Sequence, residues 1–253
     1  MTVPPFPTTI TLISPLRWLA AGWADLRRHP LPGLLHGLLI AAFAALLLWG
    51  ARDRFWLLAG AFSGFLIVAP VLATGLYAVS RGLEQGRRVS LGEIGRLWCS
   101  ADTRLVRFGL LLGLAGTGWV LTSAALITLY APQPVQRPQD FLQHVVLAAH
   151  PFGLFEAWLL LGGLLAAPMF ASSVVAMPLL LDRPVSVGTA VRRSWSAVAS
   201  HPGPVAVWAL LILLLVALGM ASALLGLVVL LPLLGHASWH AYRDLTGGGR
   251  QER

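Results

Sequence analysis

Long apolar blocks dominate the chain, and shorter segments of mixed polarity separate them. The first mixed segment opens at Ser14, a suitable N-cap, with Pro15 suited to the first helical position. Leu16, Leu19, Trp23 and Leu26 recur at three- and four-residue spacing and so share one helical face. Arg17, Asp25, Arg27 and Arg28 decorate the rest. This pattern predicts an amphipathic helix lying in the membrane interface with its Trp23 side down. His29-Pro30-Leu31-Pro32 breaks the helix and turns the chain into the bilayer.

The blocks that follow are long enough to span. The first, about 33–50, is near the lower limit of ~17–20 residues for a ~30 Å hydrocarbon core. A polar turn at 51–54 leads to a second span from Phe55 to about Val79, with a kink predicted at Pro70. Gly33 with Gly37, Gly60 with Gly64, and Gly109 with Gly113 are small-residue pairs that let helices approach closely. After a charged exit at 80–88, Ser90 to Glu93 fits a capping box, with Leu91, Ile94 and Trp98 as a short apolar face. A third span covers about 105–130. The longest polar connection, 131–150, holds a helix candidate at 140–147. A fourth span lies within 152–181 and contains Pro168 and Pro178. Residues 203–244 suffice for two short spans with a turn near 219–222.

The mixed segments are related to one another. Shifted by 172 residues, Ser186, Trp195, His201, Pro202 and Pro204 fall on Ser14, Trp23, His29, Pro30 and Pro32. Shifted by 96, Val185, Ser186, Gly188 and Arg192 fall on Val89, Ser90, Gly92 and Arg96. The expected architecture is therefore all-α: a polytopic membrane protein with six transmembrane helices, built as three repeats of an interfacial amphipathic helix plus a transmembrane hairpin. The repeats fall at about 14–88, 89–184 and 185–245 within one membrane domain, 14–245. Residues 1–13 and 246–253 are expected to be flexible tails.

Composition agrees. Of 253 residues, 57% are hydrophobic and 11% charged, against roughly 25% charged in a soluble domain. All 18 basic residues are arginine. A net charge of +8 would suggest nucleic acid in a soluble protein, but its placement suggests orientation instead. With six spans, 15 arginines and seven of the ten acidic residues share the side of both termini, so the entire net charge lies there. That side is assigned to the cytoplasm, and the protein to a bacterial inner membrane. Nucleic acid is not an expected partner. The bilayer is, together with a membrane-protein partner or a second copy. Cys99 is the one cysteine, which excludes an intrachain disulfide. The first apolar block lies too far into the chain for a signal peptide, so no cleavage is expected.

Candidate chemistry gathers in GHASWHAYRDL. His236, His240 and Asp244 are four residues apart and form one stripe on a helix. Histidines at i and i+4 can share a metal or a haem edge. His236 and Asp244 lie roughly 12 Å apart along a straight helix, so all three cannot hold one ion. An interfacial anchor with Trp239 and Tyr242 in an aromatic belt accounts for the same residues. His29 and His201 stand at equivalent breaks and complete a candidate cluster of His29, His201, His236, His240 and Asp244. His36 lies one turn inside the first span and Glu156 near the outer end of the fourth. There is no phosphate-binding Gly loop, HExxH, CxxC or nucleophile elbow, and no enzyme activity is expected. No cofactor can be named; His236 and His240 are the metal candidates.

Three stretches, GFLIVAPVLATGLYAVSRGLEQG (64–86), AMPLLLDRPV (176–185) and LLPLLGHASWHAYRDL (230–245), together resemble the bacterial inner-membrane family catalogued as domain of unknown function 2189. The likeness covers nearly the whole chain after residue 14, the last stretch being its most specific part. It implies a six-span membrane protein with no assigned activity, substrate or cofactor. The expected role is non-enzymatic: a scaffold, accessory or assembly partner of a membrane complex. A small-molecule transporter or lipid-handling protein is the first alternative, and a metal- or haem-binding protein the second.

Overall fold

The computed structural model describes residues 9–100, 102–147 and 153–247, with the side chains of 59 and 62–71 left aside. The tail readings at 1–8 and 248–253 lie outside the described residues. Within them the structure is all-helical. In order come α1 (Ser14–Arg28), α2 (Pro30–Gly50), α3 (Phe55–Glu84), α4 (Leu91–Trp98), α5 (Thr103–Tyr130) and α6 (Pro138–Phe141). Then follow α7 (Leu154–Ser173), α8 (Ala176–Asp182), α9 (Val187–Ser200), α10 (Pro202–Ala221) and α11 (Leu227–Leu245). Among the described residues, four stretches can cross a membrane by length and composition: Pro30–Gly50, Thr103–Tyr130, Leu154–Asp182 and Pro202–Ala221.

Local chemistry sets most boundaries. Ser90 caps α4 through the expected box: its hydroxyl accepts from Glu93 N, and Glu93 returns a bond to Ser90 N. Ser186 caps α9 by accepting from Thr189 N. Ser14 is instead the first residue of α1, one place inside the expected cap. His29 (φ −143°, ψ 70°) and His201 (φ −137°, ψ 54°) break the chain in nearly the same conformation, each directly before a proline that starts the next helix. α3 runs on through Pro70 without interruption.

Two segments depart from the expected outline. The block 152–181 is interrupted between α7 and α8. Pro178 has no N–H to give and its ring crowds the Val174 carbonyl. The free Val175 N–H is taken by Ser194 Oγ on α9 at 3.1 Å. Pro168, by contrast, sits inside α7 without ending it. The connection after α5 is less polar than its composition suggests. Val135 and Val145 are buried against Ile127, Phe141 stacks on Phe55 at 5.3 Å, and a π-helical turn covers Leu142–Val146.

α11 is the element on which the bundle converges. It packs along α1, α2 and α3 and touches α8 and α10. Glycines make the approach. A β-carbon at Gly22 would lie 2.6 Å from Ala237 N, and one at Gly37 would overlap the Val228 carbonyl. Gly33 would meet Leu26, Pro232 and His236. The Gly33–Gly37 pair thus seats α2 on α11, while Gly60 has nothing nearby among the described residues.

The main core lies at the arginine-rich end. Trp18, Trp208, Trp239 and Tyr242 are almost fully buried there with Val175, Leu179 and Leu180, and Trp18 meets Trp208 edge-on at 5.8 Å. The buried face of α1 is Ser14, Pro15, Trp18, Gly22, Asp25 and Leu26. Leu16 and Trp23, expected on the membrane-facing side of the helix, are exposed, as lipid-facing side chains would be, whereas Leu26 of the same expected face is buried.

Gly37→Leu should therefore force α2 off α11. Overpacking of this kind costs roughly 1–3 kcal/mol, and more where the obstacle is backbone. The expected result is a lowered melting temperature in detergent. Gly60→Leu, facing open space, should melt with the wild type.

Candidate functional site

The last turns of α11 carry His236, Trp239, His240, Tyr242, Arg243 and Asp244. In a bilayer such groups need partners, because an unpaired buried polar group costs roughly 1–3 kcal/mol. α11 is rotated so that they meet protein. Toward α1, Trp18 Nε1 donates to Asp244 Oδ2 at 2.7 Å, and His240 Nε2 lies 2.8 Å from Asp25 Oδ2. Toward α3, His236 Nδ1 is 2.8 Å from Ser80 Oγ, while Trp239 Nε1 and Arg243 Nε both reach Glu84 at 3.2 and 3.1 Å. Toward α8, Tyr242 donates to Asp182 Oδ2 at 2.7 Å, and Arg81 Nε closes on Asp182 Oδ1 at 3.2 Å.

Asp25 anchors the centre. It is only 4% exposed. Burial alone would raise its pKa, but hydrogen bonds from His240 and Ser80 and the charges of His240 and His236 hold it below the ordinary carboxylate value. An ionised Asp25 only accepts, so His240 Nε2 carries the proton between them. Ser80 stands between this carboxylate and His236. Its hydroxyl takes up one ring nitrogen, His236 Nδ1, and leaves His236 Nε2 buried without a partner. His36 ends in the same state. Its Nδ1 donates to the Pro32 carbonyl at 2.7 Å, its ring meets Trp98 edge-on at 5.1 Å, and its Nε2 is buried and unpartnered.

The five-residue cluster expected from the sequence is only partly assembled. His236, His240 and Asp244 do share the inner face of α11, so they are not a belt facing headgroups. His29 donates from Nε2 to the Val89 carbonyl at 2.9 Å, within electrostatic reach of His236. His201 is not joined to them by a hydrogen bond or ion pair, and its Nδ1 is buried without a partner. The distance between the two breaks along the chain does not become proximity, because α9 docks on α7 and α8 while α1 docks on α11. Among the described residues no three His, Cys, Asp or Glu gather into a set that could hold a metal ion. His236 and His240 each commit a ring nitrogen to Ser80 and Asp25 instead.

Sequence reasoning missed Trp18, Asp25, Ser80, Glu84 and Asp182. The signal available was an acid beside buried-helix spacing: Asp25 stands seven residues after Trp18 and so returns to its face.

A family model described as "Predicted integral membrane protein (DUF2189)" matches residues 57–182. The match includes the stretch 64–86 and reaches into 176–185, but stops short of 230–245. No curated protein and no solved structure matches the chain.

Since Asp25 titrates lower when folded, its contribution to stability is complete above the unfolded value near ~3.9 and is lost as the pH falls through the lower folded value. The melting temperature of the wild type should drop on acidification from about pH 5 to about pH 3. Asp25→Asn should flatten that drop. Asp25→Ala should cost roughly 1–3 kcal/mol at neutral pH. A coupling energy near zero in the Asp25→Asn/His240→Gln double-mutant cycle would show that the pair is not linked.

Proposed function

With residues 57–182 belonging to the family of predicted integral membrane proteins termed DUF2189, we propose that the protein is a non-enzymatic membrane scaffold, an accessory or assembly partner of a larger complex. One contrast carries the reading. In the most apolar 18-residue stretch of each span, only 17–39% of residues are buried within the chain, the lowest being Pro202–Ala221. The arginine-rich end is instead fastened across α1, α3, α8 and α11 by the hydrogen bonds above. A fixed base that displays loosely packed apolar helices suits docking of other transmembrane helices, from a partner or a second copy.

The reading includes a topology. α3 and α11 complete six spans alongside the four apolar stretches, with both termini on the cytoplasmic side of a bacterial inner membrane, since positive charge is retained inside. It also includes three repeats. Support comes from the serine caps of α4 and α9, and from the matching backbone at His29 and His201. Small-molecule transport or lipid handling is the second reading, favoured by the bare imidazole nitrogens of His36 and His236 inside the bundle. Proton flux into proteoliposomes that His236→Ala abolishes would support it over the scaffold.

Extraction in mild detergent followed by mass spectrometry should recover a stoichiometric partner or a second copy. A lone monomer taken directly from the membrane into nanodiscs would end the scaffold reading. Reporters at residues 1 and 253 should lie on one side and a reporter near Gln136 on the other; opposite signals from the two termini would remove the six-span topology.

A further inference from the structure

A groove separates the start of α5 from the loop joining α8 to α9, and apart from the Ser186 cap of α9 none of the contacts above uses it. Its volume is about 730 Å3. Arg104, Arg107, Leu110, Leu111 and Leu114 line one wall, and 184–187 the other. Arg107, Leu110, Leu111 and Leu114 follow helical spacing and form one stripe, descending roughly 10 Å along α5. The three leucines are 54%, 55% and 71% exposed. The groove is thus apolar along its length and basic at its head.

The two arginines differ in what they have left to offer. Arg104 builds the groove. Its Nε and Nη2 bind Asp102 at 3.0 and 2.6 Å, and its Nη1 reaches the Arg183 and Val185 carbonyls at 3.0 and 3.1 Å. Arg107 is exposed and, among the described residues, has no ion pair or hydrogen bond. No acidic side chain lines the groove. The acids nearest in sequence are already engaged: Asp102 by Arg104, and Asp182 by Tyr242 and Arg81. Opposite Arg107 stands the first turn of α9, whose dipole presents its positive end. An unsatisfied guanidinium heading a leucine stripe matches a phosphate above an acyl chain in both sign and layout. A free phosphate would satisfy Arg107 and leave the leucines uncovered.

We propose that this groove binds an anionic phospholipid of the bilayer, its headgroup phosphate on Arg107 and the start of α9, and an acyl chain along Leu110, Leu111 and Leu114. The site is independent of the scaffold reading, since it needs no protein partner.

The full-length protein in nanodiscs of mixed phosphatidylglycerol and phosphatidylcholine tests it, with retained lipid counted by native mass spectrometry. The wild type should retain phosphatidylglycerol in preference. Arg107→Gln should lower that retention about fivefold, the share of one arginine facing an anionic surface. Leu111→Trp fills the groove without changing its charge and should also displace the lipid, which keeps the test open if Arg107→Gln folds poorly. Arg137→Gln, at the other end of the chain's spans, should retain the wild-type lipid. Equal retention of the two lipids by the wild type, or unchanged phosphatidylglycerol retention in both groove variants, would overturn the proposal.

Discussion

Ionisable groups cannot be left alone inside a membrane protein, and the arrangement of this chain follows from how one helix end meets that constraint. α11 carries two histidines, two aromatic donors, an arginine and an aspartate within nine residues of sequence, 236–244. Each of these groups finds a partner on α1, α3 or α8. Satisfying all of them at once fixes the rotation of α11 about its axis. That rotation in turn decides where Gly22, Gly33 and Gly37 can let α1 and α2 come close. Apolar packing could not impose such a choice, because lipid tails solvate a leucine as well as another leucine does.

The same constraint explains why α1 sits with its more polar face inward. In water, the face bearing Leu16 and Trp23 would be the one to bury. In a bilayer the outside is also apolar, so exposing these residues carries little penalty. What must be hidden is whatever needs a hydrogen-bond partner. Trp18 and Asp25 therefore turn toward α11, and Leu16 and Trp23 turn away. The helical period read from the sequence groups Leu16 with Trp23 correctly but puts Leu26, which is buried, on the same face. It does not tell which side faces the protein, because that depends on the solvent.

Elements governed by local chemistry were legible from the residues alone. The Ser90–Glu93 box, the breaks at His29 and His201, and the long apolar helices all depend on neighbours within a few positions. The stripe of His236, His240 and Asp244 was legible as a face for the same reason. Its partners were not. Ser80, Asp25 and Trp18 are 156, 215 and 226 residues away along the chain from His236, His240 and Asp244. Only the packing order of the helices brings them together. Likewise, Pro178 marks a weak point in 152–181, but Ser194 completes the break by taking the Val175 N–H.

The two ends of the bundle consequently behave as different materials. At the arginine-rich end, directional bonds link elements that are distant in sequence, and α1, α3, α8 and α11 are held in one geometry. Among the described residues, the buried clusters toward the other end are smaller: Ala41 with Leu224 and Leu227, and Ile127 with Val135 and Val145. The α10–α11 turn there even places Ala223 and Leu224 at positive φ, 53° and 69°, where a side chain is tolerated only at a cost. Helices fixed at one end and lightly packed at the other can adjust their spread without breaking a hydrogen bond of the base. Any adaptation to a neighbouring helix or to bilayer thickness would therefore be taken up at the lightly packed end, while the polar network keeps its geometry.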